Sequence, residues 1–273
     1  MKNHYLLFAC EVIFGSISGQ FCVAQTAMVK DINSVYQDAT PKDFLKIGGY
    51  TFFHANDGIH GDELWRTDGT TAGTVLVKDI KPGLAGSVIS NLTNLNSVLI
   101  FAADNGTDGV ELWKSDGTSS GTVMVKDIQL GGTGSNPDYL IAMGAYVYFN
   151  ANDGTSGGEL WRSDGTSTGT IIVKDIYAGS GASDPRYFAI MGSNLYFSAA
   201  SATEGIELWK SDGTSGGTQL VKDINPTNNS FVKYIINAAG KLFFTAEGST
   251  TQGMELWTSN GTSGGTFLVK DIN

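Results

Sequence analysis

Short apolar runs alternate with polar, glycine-rich stretches along the chain from about residue 33 onward. One part of the chain shows the pattern clearly, with strand-like segments at 139–143, 146–151, 159–162 and 170–176. Runs of this length, rich in aromatic and β-branched side chains and separated by turns, are typical of β-strands. The pattern therefore predicts four short strands in this part of the chain and an all-β fold for the protein.

The same pattern returns at a fixed interval. Each copy contains Glu-Leu-Trp, then Asp-Gly-Thr or Asn-Gly-Thr, then Val-Lys-Asp-Ile. The tryptophans of the five copies are 48 residues apart, at Trp65, Trp113, Trp161, Trp209 and Trp257. A fixed period of this size indicates a repeat architecture. We therefore divide a single repeat domain, residues 25–273, into units at about 33–80, 81–128, 129–176, 177–224 and 225–272.

The second predicted strand of each unit is apolar on both faces. One face carries Phe53, Phe101, Phe149, Phe197 and Phe244, and the other carries Phe52, Ile100, Tyr148, Tyr196 and Phe243. A sheet that is apolar on both faces needs a neighbour on each side, and the blades of a β-propeller have such neighbours. The unit length also lies between those of two known propeller repeats. The prediction is a β-propeller built from five 48-residue four-stranded repeats.

The sequence leaves two arrangements of these units open. An additional Val-Lys-Asp-Ile segment at residues 29–32 precedes the five units. In a closed five-bladed ring this segment would overlap with the junction between the last and the first unit, or help to close that junction. The alternative is an open arc of a larger propeller or array. We take the closed ring as the expectation and the open arc as its alternative.

The repeated motif also carries a family resemblance. It reads Glu-Leu-Trp-Arg-Thr-Asp-Gly-Thr at 63–70 and Glu-Leu-Trp-Thr-Ser-Asn-Gly-Thr at 255–262. Over residues 26–273 the chain resembles the ELWxxDGT repeat family of secreted and surface proteins of bacteria, notably Bacteroidetes-like ones. The resemblance implies a secreted or cell-surface location, and it implies no catalytic residue.

The first 24 residues are predicted to be a secretory signal peptide. Lys2 precedes an apolar run, and Cys22-Val23-Ala24 places small residues where cleavage after Ala24 requires them. Both cysteines, Cys10 and Cys22, fall in this leader, so the mature chain is expected to contain no disulfide. The apolar run is too short to span a bilayer, and we expect no transmembrane segment in the mature chain.

The net charge of −10 changes the list of expected partners. Nucleic-acid binding needs a concentrated positive surface, whereas the basic residues here are scattered through the repeats. We therefore expect no nucleic-acid partner. An acidic protein of this kind is compatible with cations or neutral ligands.

The repeated aspartates are interpreted as structural residues of turns. They are Asp68, Asp116, Asp164 and Asp212, and Asn260 replaces them in the fifth unit. That replacement suits a side chain that accepts hydrogen bonds within its own turn, and it does not suit a general base. Calcium binding is the alternative interpretation, although each turn offers a single carboxylate.

The repeated tryptophans are interpreted as wedges between blades, each with an indole N–H that needs a partner. If the rings were exposed, they would instead form a stacking platform for sugars. The glutamate two residues earlier, such as Glu63, lies on the same face of its strand. We expect it to pair with basic residues of the Arg66 or Lys78 type.

The turn between the second and third strands varies among the units, and binding commonly resides in variable loops on a rigid scaffold. These turns carry Asp57, Asp104, Asp153, Glu204 and Glu247, which give each unit an acidic group near the same rim. We call this set the acidic rim. It is a candidate site for a cation or a basic partner, and the alternative is a solvated rim that keeps the protein soluble.

The sequence predicts no enzyme and no cofactor, with calcium as the one metal considered. The predicted function is a secreted or cell-surface binding and adhesion module whose rim loops contact a glycan, a polymer or a surface protein. One alternative is a structural surface or spacer protein. Another is a polysaccharide hydrolase or lyase, which predicts that residues found in one unit, such as His54, His60 and Arg186, converge on a pocket.

Overall fold

The protein is described here by a computed structural model, which covers residues 27–35, 37–249 and 253–272. The predicted signal peptide, residues 1–24, lies outside the described residues together with both cysteines. The described residues form twenty β-strands and contain no helix, so the all-β prediction is confirmed. The described residues therefore contain no helix with the length and the apolar character needed to cross a membrane.

The strands form five four-stranded antiparallel sheets, one for each repeat unit. Unit one contains β1 (Lys42–Ile47), β2 (Tyr50–Asn56), β3 (Asp62–Thr67) and β4 (Val75–Lys78). Unit two contains β5 (Ser90–Leu95), β6 (Val98–Asp104), β7 (Val110–Ser115) and β8 (Val123–Lys126). Unit three contains β9 (Asp138–Met143), β10 (Tyr146–Asn152), β11 (Gly158–Ser163) and β12 (Ile171–Lys174). Unit four contains β13 (Arg186–Met191), β14 (Asn194–Ser201), β15 (Gly205–Ser211) and β16 (Gln219–Lys222). Unit five contains β17 (Lys233–Ala238), β18 (Lys241–Glu247), β19 (Met254–Ser259) and β20 (Phe267–Lys270).

Within each sheet the strands follow one another in chain order. In unit three, Phe149 of β10 lies opposite Trp161 of β11, so two of the repeated aromatic residues share a face. The four strands predicted for this unit are all present. The fourth ends at Lys174, two residues earlier than predicted, because the N–H of Ile176 leaves the ladder and donates to the carboxylate of Glu159 instead.

The sheets pack face to face, and each core cluster joins two consecutive units. Between units one and two, the cluster contains Phe52, Leu64, Val77 and Ile80 from one sheet and Phe101, Ala103 and Trp113 from the next. We call the first set the rear face of its unit and the second set the front face of the following unit. Equivalent clusters join units two and three, three and four, and four and five. Burial of both faces of a sheet is the arrangement expected of propeller blades.

The first strands of the five sheets lie side by side. β1 contacts β5, β5 contacts β9, β9 contacts β13, and β13 contacts β17. They form the inner wall of the assembly. The turns between the second and third strands lie at the same end as the beginnings of these inner strands, since Lys42 at the start of β1 pairs with His54 near the end of β2. We call this end of the blades the turn end.

The two ends of the array do not pack against each other as the internal units do. Among the described residues, no core cluster contains residues of both unit five and unit one. On the rear face of unit five, Leu256 is 38% exposed, whereas its equivalent in unit three, Leu160, is completely buried. Residues 29–32 reach unit one, where Ile32 packs against the cluster of Trp65. This arrangement agrees with the open arc, the alternative to the closed ring.

Candidate functional site

The repeated glutamate is a buried acceptor of backbone hydrogen bonds. The carboxylate of Glu159 accepts the N–H of Ile176 at 2.8 Å, the N–H of Tyr177 at 3.2 Å, the N–H of Ser183 at 3.0 Å and the hydroxyl of Ser183 at 2.6 Å. It thereby joins β11 to the segment that leads into the next unit. The expected pairing with Arg66-type or Lys78-type residues is wrong, because the carboxylate of Glu159 instead accepts hydrogen bonds from main-chain N–H groups and a serine hydroxyl.

The glutamates of the first four units are completely buried, and the burial affects their protonation. Burial raises the pKa of Glu63 and Glu207 to about 7, and the hydrogen bonds from Ile80 and Ile224 oppose this rise. The serine partner was missed from the sequence, although it recurs every 47 or 48 residues. It is Ser87, Ser135, Ser183 and Ser230 in successive units.

The Ser-Asp-Gly-Thr motif forms a self-contained turn. In unit three, Oδ1 of Asp164 accepts the N–H and the hydroxyl of Thr166 at 2.9 and 2.7 Å, and Gly165 has a φ of +84°. The hydroxyls of Ser163 and Thr170 share a buried hydrogen bond of 2.7 Å beneath the turn. The hydroxyl and N–H of Thr166 hold the pKa of Asp164 below its usual value. In unit five Asn260 accepts the same two bonds from Thr262, so the turn needs an oxygen acceptor and not a charge.

The repeated tryptophans are buried, at 6–7% exposure in all five units. Four of them lie between two sheets, and Trp65 packs against Ile32. This burial rules out the sugar platform that exposed rings would have formed. Their indole N–H groups make no hydrogen bond with the described residues. Lys126 of unit two lies over the ring of Trp161, 5.8 Å from its centroid, and donates to the carbonyl of Thr170 at 2.8 Å. The basic residues thus link each unit to the next.

The acidic rim does not form a shared site. Oδ1 of Asp153 accepts the N–H groups of Thr155 and Ser156 at 2.8 and 2.7 Å, so the carboxylate stabilises its own turn. In unit two the residue in this role is Asn105, which accepts from Thr107 and Asp108. The remaining rim acids make contacts of their own: Asp57 with His60, Asp104 with Lys81, Glu204 with Ser201 and Thr203, and Glu247, through its N–H, with the carbonyl of Ser230.

The described residues contain no group of three or more His, Cys, Asp or Glu side chains arranged to hold a metal ion. The rim acids lie one per unit. Among the described residues, the acidic rim therefore does not form a site of three or more carboxylates for a cation.

His54, His60 and Arg186 do not converge either. His54 is 2% exposed; its Nδ1 lies 2.9 Å from the carboxylate of Asp62 and its Nε2 lies 2.9 Å from that of Asp43. His60 contacts Asp57 in its own turn, while Arg186 pairs with Asp184 in unit four. Both nitrogens of His54 are thus engaged by carboxylates, which suits a protonated imidazolium.

The buried His54 predicts a pH-dependent contribution to stability. Burial lowers the pKa of the ring, but the hydrogen bonds that its N–H groups donate to Asp62 and Asp43 outweigh burial and raise this pKa above its usual value, while Lys42 opposes them. A raised pKa in the folded state stabilises the fold fully below the unfolded pKa, and this stabilisation is lost as pH rises through the folded pKa. We expect His54→Asn, which copies Asn150 of unit three, to cost about 2 kcal/mol at pH 6 and less at pH 9.

Urea unfolding of the wild type and of His54→Asn at the two pH values measures this effect. The relevant quantity is the difference in the free energy of unfolding between the two proteins, because the buried glutamates titrate in both. A difference that stays constant or grows with rising pH would contradict the assignment of a protonated His54.

A row of three tyrosines, Tyr139, Tyr187 and Tyr234, lies on the inner strands at the turn end. The ring centroids of Tyr139 and Tyr187 are 6.2 Å apart, and those of Tyr187 and Tyr234 are 5.4 Å apart. Tyr234 is 68% exposed. Asp138 and Arg186 precede two of the tyrosines and are exposed. We call Tyr139, Tyr187 and Tyr234 the tyrosine row; it was missed from the sequence, although these tyrosines recur at spacings of 48 and 47 residues.

The backbone of the tyrosine row lies in the left-handed region. Its φ angles are +58°, +58° and +57°, and the equivalent residues of units one and two, Asp43 and Asn91, have +56° and +59°. A register shift between the first two strands of each sheet produces this conformation. Asp and Asn tolerate it, whereas a bulky residue is strained there by about 1–3 kcal/mol. Three units thus carry an aromatic side chain at a position where a smaller polar residue would suit the backbone better.

The pattern Gly-x-Ser-x-Gly, which surrounds the nucleophile of many hydrolases, occurs at 117–121, 165–169, 213–217 and 261–265. Each copy lies in the turn between the third and fourth strands of its sheet. The hydrolase elbow joins a strand to a helix, and the described chain contains no helix. Here the pattern belongs to the turn, in which the N–H of Gly169 donates to the hydroxyl of Thr166 at 3.0 Å.

Comparison with known proteins identifies the fold. No family model and no curated protein sequence matches the chain. Among solved structures, it is similar to a puromycin hydrolase mutant in complex with PGG, at 12% identity over 91% of this chain and 40% of that one, with a TM-score of 0.57. A second puromycin hydrolase structure matches at 11% identity over 90% and 41%, with a TM-score of 0.55. A puromycin-hydrolyzing peptidase of Mycobacterium tuberculosis matches at 9% identity over 90% and 39%, with a TM-score of 0.52.

These similarities confirm the β-propeller fold and correct one prediction. The chain spans about 40% of the length of the similar structures. The prediction that the chain is not an enzyme is contradicted, because the solved structures that share its fold are hydrolases and a peptidase. At identities of 9–12% the likeness shows the fold alone, and it transfers no catalytic residue to this chain.

Proposed function

We propose that the chain is a propeller binding module that contacts a neutral, chain-like polymer, and specifically a glycan, through the tyrosine row. We propose further that it does so outside the cell or at the cell surface as an adhesion module, in line with the predicted leader and the family resemblance. The observation that carries the proposal is the presence of Tyr139, Tyr187 and Tyr234 in strained positions of three consecutive units.

The chemistry of the row supports this ligand class. A tyrosine offers a rigid apolar ring with a polar hydroxyl, which suits contact with a partner that is apolar on one side and wet on the other. Sugar rings have this character, with an apolar C–H face and hydroxyl groups at the edge. The exposed Asp138 and Arg186 lie beside the row and supply an acceptor and donors for such hydroxyls.

The geometry of the row also fits a polymer better than a small molecule. Pockets for small ligands are concave and enclose most of the ligand, whereas the tyrosines form a line across units three, four and five. A line of rings at regular spacing contacts successive residues of an extended chain.

Affinity electrophoresis in gels that contain laminarin, xylan or dextran tests the proposal. We expect at least one of these neutral polysaccharides to retard the wild-type protein. The double variant Tyr187→Asn, Tyr234→Asn copies the residue type found at Asn91, so it should keep the fold and gain up to about 1 kcal/mol of stability at each site. Its binding should weaken by at least about tenfold.

Ile59→Ser serves as the matched control, because Ile59 is an exposed apolar residue at the turn end outside the tyrosine row. Its retardation should equal that of the wild type. Absence of retardation by all three polysaccharides would overturn the glycan proposal and favour a structural spacer. Equal retardation of the double variant and the wild type would place the contact elsewhere.

A further inference from the structure

The rear face of unit five is an uncovered copy of a surface that the chain buries at every internal junction. Its residues are Phe243, Leu256, Val269 and Ile272; Val269 is 46% exposed and Ile272 is 71% exposed. In the first four units the residues equivalent to Val269 and Ile272 are at most 9% exposed. An exposed apolar patch of this kind commonly marks an interaction surface.

The internal junctions show what fits this face. Each rear face packs against the front face of a following unit, which contributes a phenylalanine and a tryptophan. Each junction also has one lysine that donates to a threonine carbonyl of the following unit at 2.7–2.8 Å, in the pairs Lys78–Thr122, Lys126–Thr170, Lys174–Thr218 and Lys222–Thr266. Lys270 has the same position in unit five and is exposed.

The front face of unit one is covered by residues 29–32, which we call the cap segment. Lys30 donates to the carbonyl of Thr74 at 2.8 Å, as the lysines of the internal junctions do. Ile32 packs against the cluster of Phe53 and Trp65. The cap segment and residues 269–272 both read Val-Lys-Asp-Ile, so the cap reproduces the fourth strand of a preceding unit and none of its other strands.

We propose that the rear face of unit five docks onto the front face of unit one of a second copy of this chain, with release of the cap segment. The two Val-Lys-Asp-Ile segments compete for one position, because each places a lysine at the carbonyl of Thr74. A docking unit also brings Phe243 and Leu256, which have no counterpart in the cap segment, and therefore buries more apolar surface. The contact is head-to-tail, so it joins copies into a closed ring or a longer array.

Sedimentation velocity of the full chain at increasing concentration tests the proposal. We expect the sedimentation coefficient of the wild type to rise with concentration. Leu256→Asp and Lys270→Glu should each weaken the assembly by at least about tenfold. Ile32→Asp should strengthen it, because an aspartate at this position destabilises the cap segment and leaves the front face of unit one accessible.

Ile59→Asp is the matched control, since it places the same charge on an exposed residue outside both faces. Circular dichroism and thermal melting show whether each variant is folded, and the exposed Lys270 provides a variant that leaves the apolar packing intact. Wild type and Ile32→Asp that both stay monomeric at all concentrations would overturn the proposal. Assembly that persists unchanged in Leu256→Asp and Lys270→Glu would overturn it as well.

Discussion

Replacement of Glu159 by alanine will lower the free energy of unfolding by about 3–5 kcal/mol. The side chain is completely buried and accepts hydrogen bonds from the N–H groups of Ile176, Tyr177 and Ser183. Alanine leaves these buried donors without an acceptor, and each unsatisfied group costs about 1–3 kcal/mol. Urea unfolding measures the loss, and hydrogen exchange should show faster exchange of the three amides.

Asp164→Asn is the matched control, an acidic residue of the same unit changed to the residue that unit five carries. Because Asn260 accepts the same bonds from Thr262, we expect a change within about 0.5 kcal/mol. A Glu159→Ala protein with the stability of the wild type would show that water replaces the carboxylate, and the assigned role of the glutamate would be wrong.

Leu160→Ala and Leu256→Ala make the same chemical change at equivalent positions, yet we expect different outcomes. Leu160 is completely buried between units three and four, so its truncation should cost about 3–5 kcal/mol. Leu256 is 38% exposed on the rear face of unit five, so its truncation should cost less than about 1 kcal/mol. Thermal or urea unfolding at low protein concentration, where no second copy docks, measures both.

This pair also distinguishes the open arc from the closed ring. In a closed ring the rear face of unit five would be buried against unit one, and Leu256 would contribute as much as Leu160. Equal losses in dilute solution would therefore contradict the open arc. A large loss for Leu160→Ala together with a small loss for Leu256→Ala would agree with it.

Much of the fold could be predicted from the sequence because the same pattern of strand-forming and turn-forming residues occurs five times. The 48-residue spacing of the tryptophans fixes the unit, and the apolar and aromatic side chains on both faces of the second strand require neighbours on both sides. The structural role of Asp164 in its turn could also be predicted from the sequence, because Asn260 replaces aspartate at the equivalent position of unit five. These are local properties, which depend on residues close together in the chain.

The candidate site could not be predicted in the same way. The sequence shows that Tyr139, Tyr187 and Tyr234 recur at spacings of 48 and 47 residues, but recurring aromatic residues are also typical of buried strands. The structure places them on the inner strands, partly exposed and with positive φ. The acidic rim shows the opposite case, because five acids that look equivalent in sequence make separate local contacts.

The sequence by itself determined the all-β class, the repeat unit and the burial of both faces of each blade, since periodicity and side-chain polarity suffice for these. Tertiary structure decided which groups satisfy the buried Glu159, which end of the array stays open and which aromatic residues reach solvent. The physical reason is that these properties depend on contacts between units. Lys126 and Thr170 are 44 residues apart. The Val-Lys-Asp-Ile segments of the five units are identical in sequence but differ in burial, because a following unit covers the first four and not the segment at 269–272.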